Sequence, residues 1–231
     1  MDTVIIATTH TWNINQAKEL RKTLPAYRVI IIGDKSELTF ERIKTVEPKY
    51  IFFPHWSWLI PPDIYENFTC VVFHMTDLPF GRGGSPLQNL IARGVTETKI
   101  SAISVKKELD AGDVYLKEPL SLYGGAEEIY LRASEIVFHK MIPYIIEHNP
   151  TAAPQSGEVV RFDRRTPDMS ELSPQMTMDQ IFDYMRMLDA EGYPKAFIKF
   201  GGYKLSFSRP KRTSGGLIAD VEMEILDDQS E

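Results

Sequence analysis

At 231 residues, 43% of them hydrophobic, and with a formal net charge of −6, the chain is long enough for one α/β domain with a small appendage and too acidic overall for a large nucleic-acid footprint. No apolar run approaches the roughly 18 residues that a membrane span needs, and the N-terminus enters a strand without a cationic leader, so a cytoplasmic protein without a membrane partner is expected. Cys70 is the single cysteine, which excludes a disulfide framework and a thiolate zinc site.

Val4 to Ala7 is a short β-branched apolar run, followed by a polar loop and then a helical pattern through Ala17, Leu20 and Leu24. Tyr27 to Ile32 repeats the strand signal, a helix is expected from Thr39 to Val46, and Tyr50 to Phe53 reads as a third strand. Thr69 to Phe73 follows and delivers His74 at its C-terminal end. Apolar strands alternating with helices predict a Rossmann-like, open and mostly parallel α/β sheet with helices on both faces, because parallel strands need crossover connections. Lys99 to Val105 and Val114 to Leu120 are further strands, and an amphipathic helix from Ala126 to Glu147 is expected to close a main domain over residues 1–150. A Pro-, Ser- and charge-rich connector is expected over 151–176. In the remaining 177–231, a helix at Met178 to Leu188 precedes a hairpin of Ala196 to Phe200 with Tyr203 to Ser208 around Gly201-Gly202. The tail after Asp227 is acidic and expected to fray.

Ligands of open α/β sheets collect at the C-terminal ends of the strands, which places His74 where chemistry is expected. Taken alone, a histidine at a strand end is more often structural than catalytic; its surroundings alter that balance. His74-Met75-Thr76-Asp77-Leu78-Pro79 runs into Phe80-Gly81-Arg82-Gly83-Gly84-Ser85-Pro86, and Leu109-Asp110-Ala111-Gly112-Asp113-Val114 follows later in the chain. Together these segments resemble the 10-formyltetrahydrofolate-dependent formyltransferases, which carry an Asn-x-His-x-x-x-Leu-Pro segment, an Arg-Gly loop and a Leu-Asp-x-Gly-Asp loop. The resemblance covers residues 1 to about 210. Arg164-Arg165-Thr166-Pro167-Asp168 and the hairpin after Tyr193-Pro194 look like the branch that formylates nucleotide-linked amino sugars.

The resemblance implies a formyltransferase that carries the formyl group of 10-formyltetrahydrofolate to the amine of such a sugar. Formylation of methionyl-tRNA or glycinamide ribonucleotide, and a non-catalytic folate-binding scaffold, stand as alternatives. In this reading His74 handles the proton and the developing oxyanion, as an imidazole suits. Asp113 orients it, since the family pattern puts the acid at the second Asp, although Asp110 in the same loop is able to do the same. Trp56, Ser57, Trp58, Leu59 and Ile60 cradle the folate together with Asp110 and Arg82, the indoles of Trp56 and Trp58 being otherwise core. His10, Trp12, Thr76, Asp77, Arg164 and Arg165 are assigned to the acceptor; for Trp12, anchoring of the first helix is an equal reading. Gly83 and Gly84 shape a loop expected to approach a ligand.

One position departs from the pattern. Val72 stands where the family has Asn, and losing one oxyanion donor typically costs on the order of 10²- to 10³-fold in rate. Asn13 is the expected substitute, with Thr76 second. No metal site is evident among the scattered histidines, His139 and His148 read as structural, no nucleic-acid partner is expected, and a homodimer through the C-terminal hairpin rests on the resemblance.

Overall fold

The computed structural model describes residues 1–226; the acidic tail after Asp227 lies outside the described residues. The chain divides into two compact units. Residues 1–83, 98–120 and 131–161 form the first, and 84–97, 121–130 and 162 onward the second. Segments 84–97 and 121–130 make their contacts with the C-terminal chain.

The first unit is built on a six-stranded sheet. Its strands are β1 (Asp2–Ala7), β2 (Tyr27–Ile32), β3 (Tyr50–Phe53), β4 (Cys70–His74), β6 (Glu97–Ser104) and β7 (Val114–Ser121), in the order β2-β1-β3-β4-β6-β7. β1 to β4 are parallel, with Ile5 opposite Ile51 and Phe53 opposite Val72, whereas β6 runs antiparallel to β4 with Ser101 opposite His74. The parallel strands are apolar at almost every position because both faces are covered. Ile5, Ala7, Ile32, Ile51, Phe53 and Cys70 meet in one buried cluster. β5 (Phe80–Gly83), inside the expected Gly-rich loop, is a short strand to which the connector returns as β8 (Val160–Phe162), the Val160 amide donating to Pro79.

α1 (Thr11–Thr23) follows β1, and α2 (Phe40–Val46) and α3 (Pro62–Tyr65) flank β3. The expected single helix of 126–147 is α5 (Ala126–Ile136) and α6 (Ile142–His148), joined through a π-type turn at Val137–Met141. Pro143 has no N–H to offer a preceding carbonyl, and the helix widens just upstream of it.

The second unit contains α4 (Pro86–Ile91), α7 (Met178–Arg186) and an antiparallel sheet ordered β11-β10-β9. α7 starts on a capping box, the Thr177 side chain accepting from Gln180 while Gln180 accepts from the Thr177 amide. The expected hairpin is the pair β9 (Ala196–Phe200) and β10 (Tyr203–Thr213), but β10 runs beyond Ser208 and pairs with a third strand, β11 (Gly216–Ile225). Among the described residues, no helix is long and apolar enough to cross a membrane.

Candidate active site

β4 ends on His74, which is 8% exposed. Its Nε2–H donates to the Gly81 carbonyl at 2.7 Å. A carbonyl only accepts, so that bond fixes the tautomer and leaves Nδ1 as the nitrogen free to take up a proton. The turn that follows is held from β6: the buried Ser101 hydroxyl donates to the Thr76 carbonyl at 2.7 Å and accepts from the Leu78 amide at 3.3 Å.

His74 Nδ1 faces Asp110, 3.6 Å from its Oδ2. The expected pairing with Asp113 does not form, because the Asp113 carboxylate binds Lys106 at 2.8 Å. The path of the loop between β6 and β7 decides which acid arrives. The Asp113 amide donates to Ser104 Oγ at 2.9 Å, and a Cβ on Gly112 would lie 1.6 Å from the Ser104 carbonyl oxygen. Only glycine lets the loop fold this tightly onto the end of β6. Asp110 itself sits at φ +53°, its carboxylate also accepting from the Gly83 amide at 2.9 Å.

Since β1, β3 and β4 are parallel, the segments after Ala7, Phe53 and His74 leave the same edge of the sheet. β2 lies on one side of β1 and β3 on the other, so this edge includes the point where the strand order reverses, the usual ligand crevice of such sheets. His10 stacks on Trp12 at 4.4 Å between ring centroids, and His55 lies 4.2 Å from His10. His55 has left-handed backbone (φ +52°), and burial, then the neighbouring His10, push its imidazole down to about 3. His55 was not among the expected site residues; its position directly before the Trp56 to Ile60 segment was the available signal.

In that segment the buried Trp56 Nε1 has no hydrogen-bond partner among the described residues. Trp56 meets Trp58 edge-on at 5.1 Å. The indole of Trp58 is 40% exposed, and the amides of Ser57, Trp58, Leu59 and Ile60 make no backbone hydrogen bond among the described residues. A row of donors beside apolar rings suits a flat heterocycle with a polar edge.

Other expected residues are already engaged. Asn13 is buried, its Oδ1 accepting from Ser134 at 2.6 Å and its Nδ2 donating to Pro54 at 3.4 Å, so its amide is committed to holding α1 in place. Arg82 binds Gln155 and Glu108. Asp77 lies between Lys117 (2.5 Å) and Lys99 (3.0 Å); burial raises its carboxyl, but the two ammonium groups outweigh that and hold it below the ordinary value. By contrast Thr76 is fully buried and its Oγ1 has no partner among the described residues. In the second unit, the Arg165 guanidinium donates to the Met169 carbonyl at 2.5 Å and lies 5.1 Å from the Tyr184 ring, while the Arg164 backbone leaves no room for a side chain on Gly84. The close approach seen at Gly84 is to its own chain. A cavity of about 360 Å³ lies beside Tyr50, Thr69 and Asn149, at the opposite end of β3 and β4 from His74.

Residues 167–224 match the family described as "Methionyl-tRNA formyltransferase, C-terminal domain". HypX from Aquifex aeolicus, solved in complex with tetrahydrofolic acid, shares the fold at 16% identity with a TM-score of 0.73, over 90% of this chain and 37% of that one. A structure from Clostridium thermocellum covers 97% of this chain and 100% of its own at 56% identity, with a TM-score of 0.96. The chain therefore belongs to the formyltransferase family, whose members use 10-formyltetrahydrofolate as formyl donor. Within that family the Clostridium thermocellum protein is a methionyl-tRNA formyltransferase, as is a Halalkalibacterium halodurans relative 24% identical over 213 residues, 86% of this chain and 66% of the relative. The chain spans between 32% and 66% of the length of the curated relatives it matches.

These likenesses overturn the expected amino-sugar acceptor, and with it the expectation that no nucleic acid is involved. The net charge of −6 sums over the whole surface and does not report on any one face of it. The Arg164-Arg165 segment is anchored within the second unit by Met169 and Tyr184, so its sequence alone did not define an acceptor site.

Proposed function

We propose that this chain formylates the α-amine of methionyl-tRNA with 10-formyltetrahydrofolate as donor. The observation that carries this reading is the 56% identity, over 97% of this chain and all of the other, to a methionyl-tRNA formyltransferase. The His74–Asp110 pair supplies a chemistry consistent with it.

His74 is the proton carrier. Its Nδ1 takes a proton from the amine as the nitrogen bonds to the formyl carbon. The resulting imidazolium is stabilised by Asp110 and by the Gly81 carbonyl. The same proton goes to the folate nitrogen when its bond to the formyl carbon breaks, so the enzyme ends the cycle unchanged. The Thr76 hydroxyl donates to the oxyanion that forms in between, the role left open by Val72. Trp56 and the amides of 57–60 hold the pterin, and the ring cluster of His10, Trp12 and His55 lines the acceptor side.

The test is incubation of the purified protein with 10-formyltetrahydrofolate and methionyl-tRNA. Formylmethionyl-tRNA and tetrahydrofolate formed in equal amounts support the reading. Tetrahydrofolate and formate without a formylated acceptor defeat it in favour of hydrolysis.

A further inference from the structure

Asp110 reaches His74 only because its loop adopts a left-handed backbone at a residue with a side chain, a conformation that costs on the order of 1 kcal/mol and persists where the surroundings impose it. The imposing group comes from the distant connector. The Gln155 side-chain amide donates to the Asp110 carbonyl at 2.7 Å and to the Gly112 carbonyl at 2.8 Å. Its oxygen accepts from Arg82 twice, Nη2 at 2.8 Å and Nε at 3.1 Å. Both N–H groups and both lone pairs of the amide are thus used. Its orientation is fixed as well, since two carbonyls require the NH₂ end and a guanidinium requires the oxygen. The connector is brought to the loop by a two-bond bridge, Val114 to Ala153 at 2.7 Å and Ala153 back to Val114 at 2.9 Å.

We infer that Gln155 is a positioning residue for the His74–Asp110 pair, acting as a clamp that ties the 110–112 loop to Arg82 on β5. It touches neither His74 nor a reacting atom, so its influence on the reaction passes through Asp110. The rate effect rests on the proposed formyl transfer, whereas the geometric effect does not.

The experiment compares the Gln155→Leu chain with the parent, each with Asp110 intact and as Asp110→Asn, and follows hydrogen exchange at the Gly83 amide, which Asp110 protects. Gln155→Leu is expected to lower kcat about 10²-fold, the scale of an ångström of misplacement in a reacting group. Both KM values should stay within about threefold, because uniform binding is untouched. In the Asp110→Asn background the same change should cost nothing further, as for residues acting in one unit. Gly83 protection should fall in Gln155→Leu. Equal fold-losses in both backgrounds, or unchanged Gly83 protection, overturn the inference. A parent chain without methionyl-tRNA turnover defeats the functional reading instead, and Gly83 exchange still decides the role of Gln155.

Discussion

The Nδ1 of His74 stands 3.6 Å from the Oδ2 of Asp110, and the bond from Nε2 to Gly81 determines that Nδ1, not Nε2, meets the carboxylate. Asp110→Asn keeps the size of the side chain but removes the charge that stabilises the imidazolium, so kcat should fall roughly 10²- to 10⁴-fold, the usual reach of acid–base assistance. Asp113→Asn loses only an exposed ion pair with Lys106 and should remain within a few-fold of the parent. Steady-state kinetics of the two variants side by side decide between them; the reverse ranking would return the role to Asp113.

Thr76→Val replaces a buried hydroxyl that has no partner among the described residues by a methyl of the same size. Folding stability should hold or rise slightly, since no hydrogen bond is lost. Turnover should drop about 10²-fold if that hydroxyl meets the oxyanion. Thermal unfolding and single-turnover rates on one preparation test both halves, and an unchanged rate removes Thr76 from the chemistry.

Gly112→Ala should destabilise the chain by roughly 2 to 3 kcal/mol, at the upper end of overpacking, because the obstacle is the Ser104 backbone rather than a side chain able to swing away. Denaturant titration gives the value. A loss under about 0.5 kcal/mol, the range of an ordinary surface substitution, would mean the loop has another way to lie.

His55 titrates at about 3 in the folded chain, against about 6.5 when unfolded. Between those values the unfolded state binds a proton that the native state refuses. Its contribution to stability is therefore complete above the unfolded value and is lost as pH falls through this window, with a limiting slope of about 1.4 kcal/mol per pH unit. His55→Asn, which tolerates the left-handed backbone, should lack that slope. Urea melts of parent and variant from pH 7 to pH 4 should diverge; parallel curves would reject the assignment.

The strands were legible because β-branched apolar runs such as Tyr27 to Ile32 have few other ways to be buried. His74 was legible from its place at a strand end. Which of two acids in Leu109 to Asp113 meets it was not, since that choice depends on Gly112 against Ser104 and on Gln155, a residue far along the chain. β11 could have been read from the alternation of Val221, Met223 and Ile225 with Glu222 and Glu224. The left-handed turn at His55 leaves only a faint trace in residue type, histidine being among the residues that accept it, and the acceptor is not written in the Arg164-Arg165 pair, where the Arg165 side chain serves its own unit.

Val72 lies on the same side of β4 as His74, two residues before it, and packs against the cluster that includes Ile5, Ile51 and Phe53. An amide at that position would share a face with His74 and also enter a hydrocarbon interior, where an unsatisfied polar group costs about 1 to 3 kcal/mol. Replacing Val72 by Asn therefore sets an added donor beside His74 against the firmness of the fold, and such a change calls for a looser wall of isoleucines behind it.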